Sequence, residues 1–441
     1  MDVNGTDLAV KTLGECRVSS PLAHLLGERI TSEHYLDEND RVLFDDTLSM
    51  VSARGVPLDQ LPSFEPAGPR RRIFFDPSKT RVGIVTCGGL CPGLNDVIRG
   101  LVVELNGHYG VRRIVGFRNG YQGFVASYGH DVLDLTPENV ATINENGGTI
   151  LGTSRGQQDP REIVDCLERL NIRVLFVIGG DGSLRGAGEI SRVAAERGER
   201  IAVVGIPKTI DNDIPYIDQS FGFQTAMAKG AESIRAAHVE ATSAPGGVGI
   251  VKLMGRHSGF IACYASLANS DADVVLIPEV GFQLDGEDGL LAYIHRRVAE
   301  RGHAVVVVAE GAGQEHLDSA PAGADASGNT RLRDFSSLLT RRVTEYFTDA
   351  GSELNLKYID PSYVIRSVPA NPYDSVYCIR LAQAAVHAAM AGRTEMVVGR
   401  WRRRFVHLPI PVAVSRRNQV DPGGDLWMAV LETTGQPPRF G

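Results

Sequence analysis

The sequence predicts an α/β fold in which two parallel β-sheets are covered by helices. Short apolar runs of strand length alternate with longer stretches of helical length along most of the chain. This alternation, without internal repeats, is typical of parallel sheets. The chain has 441 residues, which exceeds one ordinary domain and therefore predicts two cores.

Composition indicates an ordinary globular protein, with 43% hydrophobic and 22% charged residues. The net charge of −8 argues against nonspecific nucleic-acid binding through a basic surface. The six cysteines are scattered and predict neither a zinc site nor a disulfide framework. No signal segment or membrane-length apolar run is present. We therefore expect a cytoplasmic protein that binds neither nucleic acid nor a membrane.

Residues 1–79 show no sustained hydrophobic period, so we predict an extension that wraps the body or a partner subunit. An apolar strand at 82–86 then leads through Gly-Gly-Leu-Cys-Pro-Gly-Leu-Asn into a helix predicted over 96–105. A glycine-rich turn at a helix N-terminus is a ready anion site, because amides and the helix dipole converge there. Its spacing matches neither a Walker loop nor the dinucleotide fingerprint, and tight packing is the alternative explanation.

Two further loops carry phosphate-binding chemistry. A stretch rich in glycine and hydroxyls, 146–155, ends in Arg155, which could grip a phosphate or be an ordinary surface charge. The strand at 174–178 runs into Gly-Gly-Asp-Gly-Ser and a helix predicted over 184–197. Asp181 in this motif is placed to hold Mg²⁺ directly or through water. The alternative is a helix N-cap.

The most informative loop follows the strand at 201–204 and reads Gly-Ile-Pro-Lys-Thr-Ile-Asp-Asn-Asp-Ile. Asp211 and Asp213 occupy alternate positions, so in an extended segment they point the same way. A carboxylate near the Lys208 ammonium suits proton removal from a hydroxyl while anionic oxygens are neutralised. An Asx-turn whose acids cap the next helix is the alternative.

The second half repeats this construction after a helix predicted over 224–241. Strands are predicted at 250–253, 273–277 and 304–309. Polar residues follow the first and third strands, and a turn at Asp360-Pro361 separates later donors. The candidate ligand-binding residues here are Arg256, Glu310, Lys357, Tyr363 and Arg366, and a helix cap is the alternative for Glu310.

The order of these motifs resembles the 6-phosphofructokinase family over about residues 70–414. The matching motifs are Gly-Gly-Leu-Cys-Pro-Gly-Leu-Asn, Gly-Gly-Asp-Gly-Ser, Pro-Lys-Thr-Ile-Asp-Asn-Asp-Ile, Met-Gly-Arg, Ala-Glu-Gly and Tyr-Val-Ile-Arg. The chain is most similar to the plant-like, long-chain, ATP-dependent branch, which carries lysine where shorter bacterial enzymes have glycine before Thr-Ile-Asp.

This resemblance implies two Rossmann-like domains and a homotetramer. The implied segments are an N-terminal extension (1–79), a nucleotide-binding domain (80–222, with 365–414 returning to it), a sugar-phosphate domain (223–364) and a C-terminal tail (415–441). The implied reaction is ATP-dependent phosphorylation of fructose 6-phosphate at its 1-hydroxyl.

The resemblance also implies a role for each candidate residue. Asp211 would be the base, Thr209 and Asp213 would support the reacting hydroxyl and the metal region, and Asp181 would position Mg²⁺ on the nucleotide phosphates. The residues lining the ATP site would be Gly89, Arg155, Gly182 and Ser183. The residues holding the sugar phosphate would be Met254, Gly255, Arg256, Glu310, Lys357, Tyr363 and Arg366, with Arg256 also near the transferred group.

Two positions bear on the phosphoryl donor. Pyrophosphate-using members of the family place a bulkier aspartate where Gly182 stands, whereas Lys208 also resembles the pyrophosphate enzymes. Glycine at position 182 and lysine at position 208 occur together in the plant-like branch, which uses ATP. We therefore expect ATP as the phosphoryl donor. The alternatives are pyrophosphate as donor and a catalytically silent sugar-phosphate sensor on the same fold. A lipid or NAD kinase shares the Gly-Gly-Asp-Gly signature but leaves the other motifs unexplained.

Overall fold

The computed structural model describes residues 7–24, 35–317, 323 and 332–441 of the chain. Its helices and strands belong to two compact units. The first unit comprises Met1–Thr209, Ile214–Phe221 and Pro369–Arg416, and the second comprises Ile210–Asp213, Gly222–Val368 and Arg417–Gly441. Residues 210–213, 222 and 365–368, which were predicted in the nucleotide-binding domain, belong to the second unit. The predicted tail is divided, with 415–416 in the first unit and 417–441 in the second.

The strands in chain order are β1 (Lys11–Thr12), β2 (Val18–Ser19), β3 (Val42–Leu43), β4 (Ser63–Pro66), β5 (Arg72–Ile73), β6 (Arg81–Thr86), β7 (Arg113–Phe117), β8 (Leu133–Asp134), β9 (Val174–Gly179), β10 (Ala202–Pro207), β11 (Gly247–Leu253), β12 (Val274–Leu276), β13 (His303–Ala309), β14 (Asn355–Ile359), β15 (Arg393–Thr394), β16 (Met396–Trp401) and β17 (Arg404–Pro409).

The helices are α1 (Leu48–Ala53), α2 (Leu94–Val103), α3 (Pro160–Arg169), α4 (Asp181–Glu196), α5 (Phe223–Thr242), α6 (Phe260–Asn269), α7 (Leu290–Arg301), α8 (Phe335–Asp349), α9 (Ser362–Ser367), α10 (Pro372–Met390), α11 (Ile410–Ala413) and α12 (Asp425–Thr434). Within the described ranges, none of these helices combines the length and the apolar character needed to cross a membrane.

The described residues of the first unit form a nine-stranded sheet in the order β3-β4-β17-β16-β10-β9-β6-β7-β8. Its centre, from β16 to β7, is parallel, and antiparallel strands extend both edges. Every residue of β9 and β10 is buried. Continuous apolar runs therefore form these strands, because both faces of a central parallel strand are covered.

The strand order reverses beside β6 in this sheet. The chain passes from β6 to its neighbour β7, and later places β9 on the opposite side of β6. Ligands of open α/β sheets bind at the carboxyl ends of strands at such a reversal. The loops after β6 and β9 thus begin at the position where a ligand is expected.

The described part of the second unit contains a parallel sheet in the order β12-β13-β11-β14. The central pair, β11 and β13, is matched from Gly247 beside His303 to Leu253 beside Ala309. Helix α5 packs against this pair. The strands predicted at 250–253, 273–277 and 304–309 are confirmed, with boundaries one to three residues away.

The N-terminal segment is more structured than its lack of a hydrophobic period suggested. Within the described residues, β1 to β5 are each two to four residues long, which is too short to produce a recognisable period. Strand β4 pairs with β17 and β3 pairs with β4, so both extend the edge of the large sheet. Strand β1 pairs with β15.

A buried ionic network holds this N-terminal layer to the C-terminal strands. Glu65 of β4 lies 2.7 Å from Arg70 and 2.8 Å from Arg393, and both arginines are buried. Glu38, which is 64% exposed, reaches the same two arginines at 2.9 and 2.7 Å. Burial alone would raise the pKa of Glu65, but the His407 ring and the Arg393 guanidinium lower it to about 2.

We predict that Glu65→Gln destabilises the protein by about 3–5 kcal/mol at pH 7, because it leaves two buried guanidiniums undercompensated. The folded-state pKa lies below the ordinary carboxyl value, so this contribution is present above about pH 4.5 and is lost as the pH falls towards 2. Urea unfolding at pH 7 and at a pH of about 2.5 measures both effects. Glu38→Gln is the matched control and should cost less, because Glu38 is solvated; equal losses in the two variants would contradict the prediction.

Candidate functional site

In the first unit, backbone and hydroxyl hydrogen bonds join the loop after β6 to strand β9 and to the loop that ends in Arg155. The amide of Cys87 donates to Ile178 O (2.9 Å), and the amide of Gly88 donates to Ser154 O (3.0 Å). Thr153 Oγ1 donates back to Gly88 O at 2.6 Å. The glycine turn and the hydroxyl-rich loop, which are about 60 residues apart in sequence, therefore form one surface.

Two cationic side chains lie over this glycine turn. A Cβ built on Gly89 would lie 3.7 Å from Arg155 Nη2, and one on Gly88 would lie 3.6 Å from Lys208 Nζ. The amide of Lys208 donates to Gly179 O at 3.0 Å, which fixes its backbone beside the end of β9. A lysine and an arginine beside a glycine turn form a site suited to phosphate oxygens.

Helix α4 begins directly after the Gly-Gly pair, and its first three residues are Asp181, Gly182 and Ser183. The N-cap is Gly180, so Asp181 is not the capping residue. Ser183 O accepts from Tyr121 Oη at 2.6 Å. A Cβ on Gly182 would meet only Gln157 Nε2, at 3.9 Å, so the position has room for a side chain.

In the second unit, the turns that follow β11 and β13 are hydrogen-bonded to each other. The amide of Glu310 donates to Leu253 O at 2.8 Å, and the amide of Gly311 donates to Gly255 O at 3.0 Å. Gly255 has a φ of +132°, and a Cβ on Gly311 would collide with the carbonyl oxygen of Arg256. Two glycines therefore allow the Met-Gly-Arg and Glu-Gly turns to pack backbone against backbone.

Asp211 has the electrostatic environment of a general base. Its Oδ2 accepts from the amide of Arg256 at 3.3 Å, while Oδ1 is buried without a hydrogen-bond partner among the described residues. Burial, followed by the charge of Asp213, raises the pKa of Asp211 to about 7. Glu310 raises it further, whereas the Arg256 amide and Arg366 act in the opposite direction. A carboxyl group with these properties can exchange a proton near neutral pH.

The residues predicted to bind the sugar phosphate differ in their surroundings. Arg366 of α9 is close enough to lower the pKa of Asp211, and Met254 is buried at the end of β11. Lys357, however, lies in the middle of the edge strand β14, where it pairs with Gly249, four residues before β11 ends. Tyr363 is 84% exposed. The structure thus brings Arg366 to Asp211, and the described contacts do not bring Tyr363 or Lys357 there.

Thr209 and Asp213, which lie two residues before and two residues after Asp211, have different contacts. The backbone oxygen of Thr209, in the first unit, accepts a hydrogen bond from the Ser220 hydroxyl. Asp213 is buried and forms an ion pair with Arg417, a residue that the sequence analysis placed in a tail. The sequence carries a partial signal for this contact, because the polar Arg-Arg-Asn triplet at 416–418 follows an apolar stretch. The pattern alone does not identify a partner 204 residues away.

Comparison with known proteins identifies relatives along the whole chain. The family model described as Phosphofructokinase matches residues 81–389. An ATP-dependent 6-phosphofructokinase from Amycolatopsis methanolica is 59% identical, over 100% of this chain and 97% of the relative. ATP-dependent 6-phosphofructokinase 7 from Arabidopsis thaliana is 44% identical, over 96% of this chain and 86% of the relative.

Among solved structures, a pyrophosphate-dependent phosphofructokinase from Marinobacter aquaeolei is similar, with a TM-score of 0.66. The match covers 82% of this chain and 93% of that protein. At 20% sequence identity, this match supports the fold alone. The expected α/β architecture with parallel sheets is therefore confirmed, as is the similarity to plant sequences.

We predict that Asp211→Asn stabilises the ligand-free protein at pH 8. The folded-state pKa of about 7 lies above the unfolded value near 3.8, so wild-type stability falls as the pH rises through this interval. The gain should be negligible near pH 4 and on the order of 2–4 kcal/mol at pH 8. Denaturant unfolding across this range tests it, with the exposed Asp349→Asn as control. A gain that does not vary with pH would contradict the prediction.

Proposed function

The chain belongs to the phosphofructokinase family, and from that premise we propose that it transfers the γ-phosphoryl group of ATP to the 1-hydroxyl of fructose 6-phosphate. The products are fructose 1,6-bisphosphate and ADP. The observation that carries this proposal in the structure is Asp211, whose Oδ1 is buried without a described partner and whose pKa is raised to about 7.

Asp211 performs the proton transfer in the proposed mechanism. Its carboxylate accepts the proton of the 1-hydroxyl while that oxygen attacks the γ-phosphorus. The bond between the γ-phosphorus and the bridging oxygen breaks, and ADP leaves with the electron pair. A base whose pKa lies near the working pH is efficient, because a large fraction is ionised and the proton affinity is still high.

Charge neutralisation is assigned to the cationic groups. Phosphoryl transfer depends mainly on alignment and on electrostatic stabilisation of the phosphate oxygens. We assign Lys208 and Arg256 to the transferred group and Arg155 to the nucleotide phosphates, together with Gly89 and Ser183. The amides at the start of α4 suit a phosphate because they carry the positive end of the helix dipole. Thr209 and Asp213 support the reacting hydroxyl.

Mg²⁺ is assigned to Asp181. Among the described residues, no group of three or more His, Cys, Asp or Glu side chains could hold a metal ion. The single Asp181 carboxylate is compatible with Mg²⁺, which is commonly bound through one or two carboxylates, water and the phosphates of its substrate. When bound, the ion supplies positive charge to the phosphate oxygens. Asp181 would hold it at the start of α4.

The sugar phosphate is assigned to the second unit. Glu310 accepts from sugar hydroxyls, and Met254 and Gly255 line the sugar. Arg366, together with Lys357 and Tyr363, binds the 6-phosphate. A homotetramer and a cytoplasmic location are also part of the proposal, the first from the family resemblance and the second from the sequence. Light scattering after size-exclusion chromatography tests the tetramer.

Two alternatives are less well supported. A catalytically silent sensor would require a lost Asp181, Asp211 or Arg256, and all three are present. Pyrophosphate as donor is favoured by Lys208 alone. Glycine at position 182 favours ATP, as do the names of the relatives at 59% and 44% identity.

We predict that Asp211→Ala lowers kcat by about 10²–10⁴-fold and changes the KM for fructose 6-phosphate little, because the base acts in the transition state. The measurement is ADP release with and without fructose 6-phosphate, with Asp349→Ala as the exposed control. Retention of most of the wild-type turnover by Asp211→Ala would refute the assignment of the base.

We predict that Gly182→Asp abolishes most ATP-dependent turnover while the protein stays folded. The position accommodates a side chain, and an acidic residue in the first turn of a helix is favourable, so stability is retained. The added carboxylate repels the nucleotide phosphates, and kcat/KM for ATP should fall about 100-fold. Gly182→Asn is the matched neutral control and should lose less. Initial rates with ATP–Mg and pyrophosphate–Mg provide the test. An unchanged kcat/KM for ATP in Gly182→Asp would contradict the prediction, and wild-type turnover with pyrophosphate–Mg but not with ATP–Mg would exclude the ATP assignment.

A further inference from the structure

The segment 417–420, which follows the last residues of the first unit, contacts the loop that carries the catalytic carboxylate. The guanidinium of Arg417 forms an ion pair with Asp213 Oδ2. The amide of Asn418 donates to the backbone oxygen of Asp213 at 2.7 Å. The segment therefore holds both the side chain and the backbone of Asp213, two residues from the proposed base.

The same segment contacts the loop after Met-Gly-Arg. The hydroxyl of Ser258, which is fully buried, donates to Asn418 O at 2.5 Å. Gln419 Nε2 donates to His257 O at 2.8 Å. Two side chain–backbone hydrogen bonds thus attach the segment to the residues directly following Arg256.

Glu279 forms a further link between this segment and the residues that follow Arg256. Its Oε1 accepts from the amide of Val420 at 2.8 Å, and its two oxygens accept from the amide of Gly259 at 2.9 and 3.1 Å. Burial raises the pKa of Glu279, and these amides oppose the increase. Residues 417–420 therefore connect the loop that carries Asp211 and Asp213 to the loop that follows Arg256, both within the second unit.

The Arg417–Asp213 pair has an electrostatic consequence for the base. Asp213 is only 4% exposed, and its charge is the second largest contribution that raises the pKa of Asp211. A buried carboxylate without a compensating cation acts more strongly on its neighbours, because little water screens it. Arg417 supplies that compensating charge.

We propose that Arg417 is a positioning residue for the proton-transfer step: it fixes the Asp213 carboxylate and neutralises its charge, so that Asp211 ionises at neutral pH. This inference rests on the proposed function. Arg417 acts through Asp213, and no contact with a substrate is required of it.

Other titratable groups around the site must be separated from this effect. Asp211 also faces Glu310 and Arg366, whose charges the substitution leaves in place. Burial, Arg417 and Arg256 lower the pKa of His257, whereas Asp213 and Glu310 raise it. Removal of Arg417 therefore raises the pKa of His257 as well, and the experiment includes a His257→Gln background.

The test compares the pH dependence of kcat for wild type, Arg417→Gln and Arg417→Lys. In Arg417→Gln the midpoint of the acidic limb should rise by about one pH unit, which lowers kcat about fivefold at pH 7 and little at pH 9. Arg417→Lys keeps the charge and should restore the wild-type midpoint. Arg416→Gln, which removes the adjacent arginine lying over the Tyr216 ring, is the control and should not shift it. The shift should persist in His257→Gln.

An unchanged midpoint in Arg417→Gln would overturn the proposal, as would an equal loss at every pH that lysine does not rescue. If Arg417→Gln does not fold, Asp213→Asn/Arg417→Gln removes both charges of the pair. Its midpoint should lie at or below the wild-type value, and a raised midpoint would also overturn the proposal.

A second readout does not depend on turnover. The stabilisation that Asp211→Asn produces at pH 8 should be larger in the Arg417→Gln background than in wild type, because the raised pKa of Asp211 is more costly there. Equal stabilisation in both backgrounds would refute the role of Arg417. A wild-type acidic limb that survives in Asp211→Ala would instead refute the proposed base, and this stability comparison would still decide the role of Arg417.

Discussion

The candidate site depends on one constraint, the electrostatic repulsion between the carboxylates of Asp211 and Asp213. Asp213 is buried, and Asp211 has one buried oxygen without a described partner. Such a pair is unfavourable unless cations and amides surround it. The Arg256 amide, Arg366 and Arg417 provide that surrounding in the second unit. Burial, followed by the charge of Asp213, is also what raises the pKa of Asp211 to about 7, so stability and proton transfer are opposed at this residue.

The two parallel sheets determine where these groups can be. In the first unit, β6, β9 and β10 all end at the same edge of the sheet. Gly88, Asp181 and Lys208 lie just after these strand ends, so they lie at one edge although they are far apart in sequence. In the second unit, β11 and β13 end in register, which brings Arg256 and Glu310 to Asp211. Short glycine turns are required at these ends because backbone packs against backbone, as the position of Gly311 demonstrates.

Sequence reasoning could predict the parts of the fold and site that lie on long periodic elements or immediately after them. The buried strands and the placement of Asp211 and Asp213 after β10 followed from apolar runs. The N-terminal strands could not be found, because β1 to β5 are too short to carry a period. Arg417 was missed because its partner is defined by tertiary packing, and the exposure of Tyr363 likewise depends on how α9 packs.

The large sheet has a distinctive chain connectivity at its N-terminal edge. Strands β3 and β4 reach the central strands only through β17 and β16, and Glu65 meets the Arg393 guanidinium only after that residue has been synthesised. Among the described residues, β4 therefore cannot join the central strands until β17 has been synthesised. Contacts of such large sequence separation are slow to form. We therefore expect docking of the N-terminal layer onto the large sheet to be a late step in the folding of the first unit.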